Sequence, residues 1–263
     1  MPDQYAQLLA YLRSLGSAAV AFSGGVDSAL LLRAAKDALG EHTAAVTVRS
    51  CLFPAQELEE ASAICRQLGV RHHIVTLDAL AVDGFASNPP NRCYLCKTEL
   101  FRCMRRTADA LGLAHLVEGS NLDDCGDYRP GMAAVTEQGV LSPLRQVGLN
   151  KAGVRALAQQ LALPVWNKPS LACLASRIAY GEQITEQKLR MIGEAEQYLR
   201  GLGFSQVRVR LHGSIARIEL PPAEFTGILP LSGAIDTHLR TLGFQYAALD
   251  LRGYRTGSMN EIL

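Results

Sequence analysis

The sequence predicts an α/β protein, a doubly wound parallel sheet with a smaller α+β domain at its C-terminal end, and three observations carry that prediction. Short apolar runs bounded by glycine alternate with segments of helical periodicity as far as about residue 161. The first of these runs leads at once into a glycine turn and a helix, Ser23-Gly24-Gly25-Val26-Asp27-Ser28. After about residue 183 the order changes to helix, two adjacent strands, helix and strand.

In chain order, residues 4–15 read as a helix, and the apolar run 18–22 has the length of a buried strand. Residues 27–39 place Ala29, Leu30, Leu32, Ala35 and Ala38 on one helical face and stop at Gly40. The pattern repeats with a strand at 44–48, a helix at 55–68 ended by Gly69, and a strand at 73–77. A helix from about 94 to 111 ends at Gly112, a short strand follows at 115–117, and 151–161 is a further amphipathic helix. Strands alternating with helices imply a parallel sheet covered on both faces, with ligands beyond the carboxyl ends of its strands. That rule puts Ser23 to Ser28 at the binding edge.

Pro164 and Pro169 interrupt regular structure, and a loop runs on to about residue 183. The spacing then predicts a helix over 185–202, strands at 206–211 and 215–220 joined as a hairpin by His212-Gly213-Ser214, a mostly helical stretch over 223–242, and a last strand at 245–251. The division expected is therefore 1–183 and 184–263, with no internal repeat. A chain of 263 residues is long enough for two such unequal domains.

With 48% apolar and 19% charged residues the composition is that of an ordinary globular protein. Lys plus Arg (26) nearly cancels Asp plus Glu (25), so the basic field of a nucleic-acid binder is absent and no nucleic-acid partner is expected. The N-terminal residues lack the basic start and apolar run of a signal peptide, and no stretch reaches the roughly 18 apolar residues of a membrane span. A cytoplasmic protein with no membrane partner is expected. In that compartment seven cysteines, an odd number, point to buried, catalytic or metal-binding thiols more than to disulfides.

A glycine turn between strand and helix lets backbone N–H groups converge on an anion, and the helix N-terminus favours negative charge. Ser23 and Ser28 add hydroxyl donors, and Asp27 is placed to hold Mg²⁺. No Gly-x-x-x-x-Gly-Lys-Ser/Thr occurs, so the lysine-bearing P-loop is absent. The hexapeptide resembles the PP-loop of N-type ATP pyrophosphatases, whose fold is adenine nucleotide alpha hydrolase-like. The resemblance implies that Ser23, Gly24, Gly25, Asp27 and Ser28 bind ATP and its departing pyrophosphate with Mg²⁺ while AMP passes to a substrate oxygen. It fixes the activation chemistry and leaves the product open.

Further strings narrow the choice: Asn91-Arg92-Cys93-Tyr94-Leu95-Cys96-Lys97, Glu118-Gly119-Ser120-Asn121-Leu122-Asp123-Asp124, Gly126-Asp127-Tyr128-Arg129-Pro130-Gly131, 168–177 around Cys173, and Asp250-Leu251-Arg252-Gly253-Tyr254-Arg255. Together they resemble the LarE family over nearly the whole chain. That family supplies sulfur to pyridinium-3,5-biscarboxylic acid mononucleotide in building the nickel-pincer cofactor of lactate racemase. The resemblance implies adenylation of a substrate carboxylate, attack by a protein-held sulfur, and release of AMP, pyrophosphate and a thiocarboxylate.

Cys173 lies in a proline-bracketed loop with Lys168 and Arg177 nearby in sequence to favour a thiolate. A cysteine between Leu171 and Leu174 also suits simple burial. One version of the family consumes this cysteine and leaves dehydroalanine; another uses three cysteines to hold a 4Fe-4S cluster whose open iron carries a sulfide. Cys93-x-x-Cys96 with Cys173 has the composition of the second kind, since such clusters otherwise take four thiolates. A lone Cys-x-x-Cys also suits zinc or a redox dithiol, and Cys103 is an outside candidate ligand. Cys51, Cys65 and Cys125 are expected to be structural.

Asp127 and Arg129 sit in a glycine- and proline-marked loop of the kind that carries function, or equally a solvated turn. Arg208 and Arg210 alternate along a strand and so share a face, suited to a mononucleotide phosphate or to a wet edge. The family match assigns these four, with Ser176 and Arg177, to the substrate. It also likens Glu219 to a carboxylate near subunit contacts that binds a divalent metal, and it implies a homo-oligomer, a hexamer built from trimers. His72, His73 and His212 read as surface histidines. A PP-loop tRNA thiolase and a non-catalytic adenine-nucleotide sensor are the rival readings. The first needs a basic surface; the second is at odds with an intact loop beside a candidate nucleophile.

Overall fold

The computed structural model describes residues 2–125, 131–169, 172–255 and 257–261. The chain divides into two compact units, one of Met1–Ser50, Pro54–Asp78 and Cys93–Ser170, the other of Cys51–Phe53, Ala79–Arg92 and Leu171–Leu263.

The first unit is built on four parallel strands in the order β3-β2-β1-β4: β1 (Ala18–Ala21), β2 (Thr43–Arg49), β3 (Arg71–Thr76) and β4 (His115–Val117). Alternate residues of each strand face opposite ways, so two separate cores form. On one face Ala18, Val20, Ala45 and Val117 pack with Leu8 and Leu12 of α1 (Pro2–Leu15), with Leu30 and Leu31 of α2 (Val26–Leu39) and with Ala61 and Ile64 of α3 (Ala55–Leu68). On the other, Ala19, Val46, Val48 and Leu116 meet Phe101, Met104 and Ala108 of α4 (Arg92–Ala110) and Val135 of α5 (Gly131–Glu137). This is the doubly wound sheet that the alternation of strand and helix predicts. Alanine-rich strands let helices approach closely, and each fully buried leucine of α2 contributes roughly 1.5–3 kcal/mol. The helices α6 (Pro143–Gln146) and α7 (Lys151–Gln160) complete the unit, with Asn150 capping α7 by accepting from the Gly153 N–H at 2.9 Å.

Boundaries follow packing more closely than local pattern. Strand β3 begins at Arg71 because β2 pairs it in register from Ala44 onward. His72 is half-buried there, bonded to Thr47 Oγ1 at 2.8 Å, and burial, with His73 and Arg66 nearby, lowers its pKa. It is not the surface histidine expected.

The second unit carries a three-stranded sheet of order β5-β6-β7. Strands β5 (Arg208–His212) and β6 (Ile215–Glu219) form the expected antiparallel hairpin, and β7 (Tyr246–Leu249) joins parallel to β6. Helices α8 (Glu186–Gly201) and α10 (Ser232–Thr241) pack on β5 and β7, while α9 (Phe225–Ile228) is a single turn between them in sequence. Register places Arg208 opposite Glu219 and Arg210 opposite Arg217, so these four share one face of the hairpin. Residues 79–92 belong to this unit through backbone bonds from Gly181 to Asn88 (3.1 Å) and from Ile184 to Ala86 (2.8 Å). Among the described residues no helix is long and apolar enough to cross a membrane.

Candidate active site

In the first unit the chain leaves β1 through Ser23 and turns at Gly24, whose φ of +74° is left-handed. A Cβ at Gly24 would also stand 3.3 Å from the Cβ of Ala61 on α3, so conformation and space both call for glycine. Ser28 Oγ donates to the Gly25 carbonyl (3.1 Å) and accepts from the Ser23 N–H (3.3 Å), with Ser23 Oγ 3.1 Å away. The loop thus ties itself to the first turn of α2. The N-cap of that helix is Gly25, which brings no side-chain cap, leaving the first-turn N–H groups to an anion.

Asp27 sits on the first turn with both carboxylate oxygens engaged: Oδ1 accepts from Asn121 Nδ2 at 3.0 Å, and Oδ2 is ion-paired with Lys151. Asn121 is in turn fixed by its N–H to Asp124 Oδ2 and by its Oδ1 accepting from the Asp123 N–H, both 2.9 Å. The Asp123 side chain caps the Lys151 N–H, also at 2.9 Å. Beneath this, buried Glu118 accepts from the Ser120 N–H and hydroxyl and from Ser142. Gly119 lies against the loop itself, where an added Cβ would stand 3.0 Å from Ser28 N and 3.1 Å from the Asp27 carbonyl carbon. The string 118–124 is therefore a brace for the phosphate loop, joined to it by side chains the sequence alone did not pair.

On α4, Cys93 is exposed, Cys96 buried and Cys103 half-buried. Cys65 is buried in the core on α3, and burial pushes its thiol up to about 12, which suits the structural role expected. Asp127 and Arg129 lie outside the described residues, as does the side chain of Cys125. Among the described residues no group of three or more His, Cys, Asp or Glu is arranged to hold a metal ion.

In the second unit a polar network surrounds the Cys173 loop. The Leu174 N–H donates to the Leu52 carbonyl at 3.0 Å, and the Cys173 carbonyl accepts from the Ser176 N–H (3.0 Å), the Ser176 hydroxyl (2.7 Å) and Arg177 Nη1 (3.1 Å). Arg177 is 1% exposed; it also bonds the Ala172 carbonyl at 2.8 Å and pairs through Nε and Nη2 with Glu196, at 2.9 and 3.3 Å. Glu196, on the buried face of α8, receives Arg200 and the Val209 N–H as well. Burial opposes its charge, but Arg177, Arg208 and Arg200 more than offset this and hold the carboxyl below the usual range.

Next to it Arg208, 3% exposed, is pushed down to about 10 by burial and by the like charge of Arg177. Arg210 donates through Nε and Nη2 to one oxygen of Glu219, at 3.1 and 2.9 Å, and through Nη1 to the Ser176 carbonyl at 3.1 Å. Glu219, fully buried, also meets Arg217 at 3.2 Å and the Ser258 hydroxyl at 2.6 Å. Ser176, Arg177, Arg208, Arg210 and Glu219 thus form one network around the Cys173 backbone. Sequence reasoning missed Glu196, although a carboxylate at the apolar spacing of Leu189, Ile192 and Leu199 was a visible signal. It missed Lys151 and Ser258 too, for which no local pattern gave warning.

Three comparisons bear on what this arrangement is. Residues 17–87 match the family of the queuosine biosynthesis protein QueC. Over 259 residues, 98% of this chain and 94% of that protein, the chain is 40% identical to pyridinium-3,5-bisthiocarboxylic acid mononucleotide synthase of Lactiplantibacillus plantarum. It is 43% identical over 256 residues, 96% and 95% of the two chains, to an uncharacterized protein of Synechocystis. It is 30% identical to the tRNA-specific 2-thiouridylase MnmA of Xanthobacter autotrophicus, over 57% of this chain and 48% of that protein. With the loop, its brace and a parallel α/β sheet in place, and with similarity to a synthase running nearly end to end, the chain belongs to the LarE family of PP-loop ATP-dependent sulfurtransferases.

Proposed function

We propose that this enzyme adenylates a carboxylate of pyridinium-3,5-biscarboxylic acid mononucleotide and converts it to a thiocarboxylate, releasing AMP and pyrophosphate, in nickel-pincer cofactor synthesis. The observation that carries the reading is the near full-length similarity to a synthase named for the bisthiocarboxylic product. Ser23, Gly24, Gly25, Ser28 and the first turn of α2 receive the pyrophosphate, and Asp27, which pairs with Lys151, would hold the Mg²⁺ that accompanies ATP and offsets the phosphate charge. Asp127 and Arg129 contact the substrate. Arg208 and Arg210 take its phosphate: with Arg177 they set three buried guanidiniums against the two buried carboxylates Glu196 and Glu219, a surplus of positive charge that suits an anion. Ser176 and Arg177 serve the substrate by fixing the loop from which Cys173 attacks.

Attack of the Cys173 thiolate on the acyl adenylate forms a thioester and expels AMP. If Cys173 is the sulfur donor, a base removes its Cα proton, that electron pair forms the Cα=Cβ bond, and the Cβ–S pair leaves with the thiocarboxylate, so dehydroalanine remains. The second reading places a 4Fe-4S cluster on Cys93, Cys96 and Cys173, and exposed Cys93 one helical turn before Cys96 favours it. We further read residues 1–183 as the ATP pyrophosphatase part and 184–263 as the part for substrate and oligomer contacts, in a cytoplasmic homo-oligomer, hexameric by family, with Glu219 its candidate divalent-metal carboxylate.

A tRNA thiolase is not favoured, because the similarity covers under half of MnmA and the net charge is only +1. Supplying ATP, Mg²⁺ and the biscarboxylic mononucleotide tests the proposal. Pyrophosphate, AMP and a thiocarboxylate should appear together, and pyrophosphate release that ignores the mononucleotide would overturn it.

A further inference from the structure

Residues 250–255 and 257–261 lie along the polar side of the β5–β6 hairpin and reach one of the arginines assigned to the phosphate directly, Arg208, and the other, Arg210, through Glu219. The segment is fixed by a glycine that admits no replacement: Gly253 has φ +70°, and a Cβ there would stand 2.7 Å from the Leu220 carbonyl oxygen and 3.0 Å from the Pro222 ring. The Tyr254 N–H donates to that same carbonyl at 2.8 Å. This turn sets the Tyr254 ring 5.3 Å from the Arg208 guanidinium carbon. Further on, the buried Ser258 hydroxyl donates to Glu219 Oε1 at 2.6 Å, while Glu219 Oε2 holds Nε and Nη2 of Arg210. The segment is itself anchored: Asp250 receives Arg217 at 2.7 Å and Arg255 at 3.1 Å, Arg255 grips Glu261, and Met259 is buried.

We propose that this C-terminal segment positions the substrate's phosphate site, Tyr254 orienting Arg208 through its ring and Ser258 orienting Arg210 through Glu219, so that both guanidiniums are set for a phosphate monoester dianion before it binds. The proposal rests on the reading of Arg208 and Arg210 as phosphate ligands. A planar fork held against an aromatic face loses less freedom when it binds an oxyanion. Arg210 spends three N–H groups on Glu219 and the Ser176 carbonyl, which leaves one hydrogen on each of Nη1 and Nη2, the pair suited to two phosphate oxygens. Tyr254 and Ser258 are positioning residues; neither is required to touch the substrate.

The test compares Tyr254→Leu, Tyr254→Phe and Ser258→Ala in the full-length enzyme, with Arg208→Lys and Arg210→Lys alongside. KM is measured for ATP, for the biscarboxylic mononucleotide, and for the corresponding nucleoside without its phosphate. Tyr254→Leu and Ser258→Ala should raise KM for the mononucleotide roughly 3- to 30-fold and leave that for ATP and for the nucleoside unchanged, while Tyr254→Phe, which keeps the ring, restores the wild-type value. Equal losses on nucleotide and nucleoside would reduce the segment to a structural part and overturn the proposal, as would no loss on either. If the two lysine variants also lose equally on nucleotide and nucleoside, or lose on neither, the arginine reading itself is wrong, and the proposal falls with it. If they discriminate and the Tyr254 and Ser258 variants do not, only the positioning role is wrong.

Discussion

Replacing Gly119 by alanine tests how closely the 118–124 brace controls the phosphate loop. The new methyl would stand 3.0 Å from Ser28 N, 3.1 Å from the Asp27 carbonyl carbon and 3.2 Å from Ser28 Cα, where ordinary contact is 3.4–4 Å. All three atoms are backbone in the first turn of α2, so no side chain can swing aside and the turn must give by a few tenths of an ångström. Overpacking of this kind costs about 1–3 kcal/mol, which in a chain of this length lowers Tm by roughly 2–10 °C. The catalytic effect follows from the same shift: a full ~1 Å misplacement of an aligned site costs about 100-fold, so a few tenths of an ångström should slow pyrophosphate release by about 3- to 10-fold. Pyrophosphate release with saturating ATP and mononucleotide, beside a thermal melt, reads both quantities. Gly233→Ala on α10 is the control, since nothing lies within 4 Å of its added Cβ and alanine should be neutral or stabilising by up to about 1 kcal/mol. A Gly119→Ala enzyme that releases pyrophosphate at the wild-type rate would refute the idea that this contact sets the loop.

The Glu196 carboxyl is held below its ordinary value in the folded state, so its contribution to stability is present above the unfolded carboxylate value of about 4.3 and is lost as pH falls through the lower folded value. Glu196→Gln leaves Arg177 and its loop without a counter-charge and should cost about 3–5 kcal/mol near neutral pH; its melts should then fall less steeply than wild type on acidification, and parallel acid limbs would count against the pairing. For the sulfur source, iron and acid-labile sulfide are assayed on protein purified without oxygen. About four irons per chain, lost in both the Cys93 and Cys96 variants, are expected if a cluster carries the sulfide. Absence of iron, with a Cys173 peptide lighter by one H₂S after turnover, would assign the sulfur to the cysteine.

The first unit was largely legible because its signals are local. Glycine-bounded apolar runs marked β1, β2 and β4, and periodicity marked α2 and α3 to within a residue or two. The hairpin of β5 and β6 showed itself by its turn, and Arg208 and Arg210 by their alternation. The helices α5 and α6 escaped notice, being short and without a repeated apolar face. What sequence could not supply was pairing over long separations: Asp27 with Lys151, Arg177 with Glu196, and Glu219 with Ser258. Each partner is an ordinary polar residue locally, and only tertiary packing gives it a role. The inclusion of 79–92 with the C-terminal unit is of the same kind, resting on backbone bonds made some ninety residues apart.

The central claim is that activation and sulfur transfer are separate acts, the first built on Asp27 and the loop, the second on Cys173. Single-turnover reactions of Asp27→Ala and Cys173→Ala with ATP, Mg²⁺ and the mononucleotide, followed for pyrophosphate, acyl adenylate and thiocarboxylate, test it most directly. The account predicts no pyrophosphate from Asp27→Ala, and pyrophosphate with accumulated adenylate but no thiocarboxylate from Cys173→Ala. A Cys173→Ala enzyme that still makes thiocarboxylate, or one that cannot form the adenylate, would contradict it.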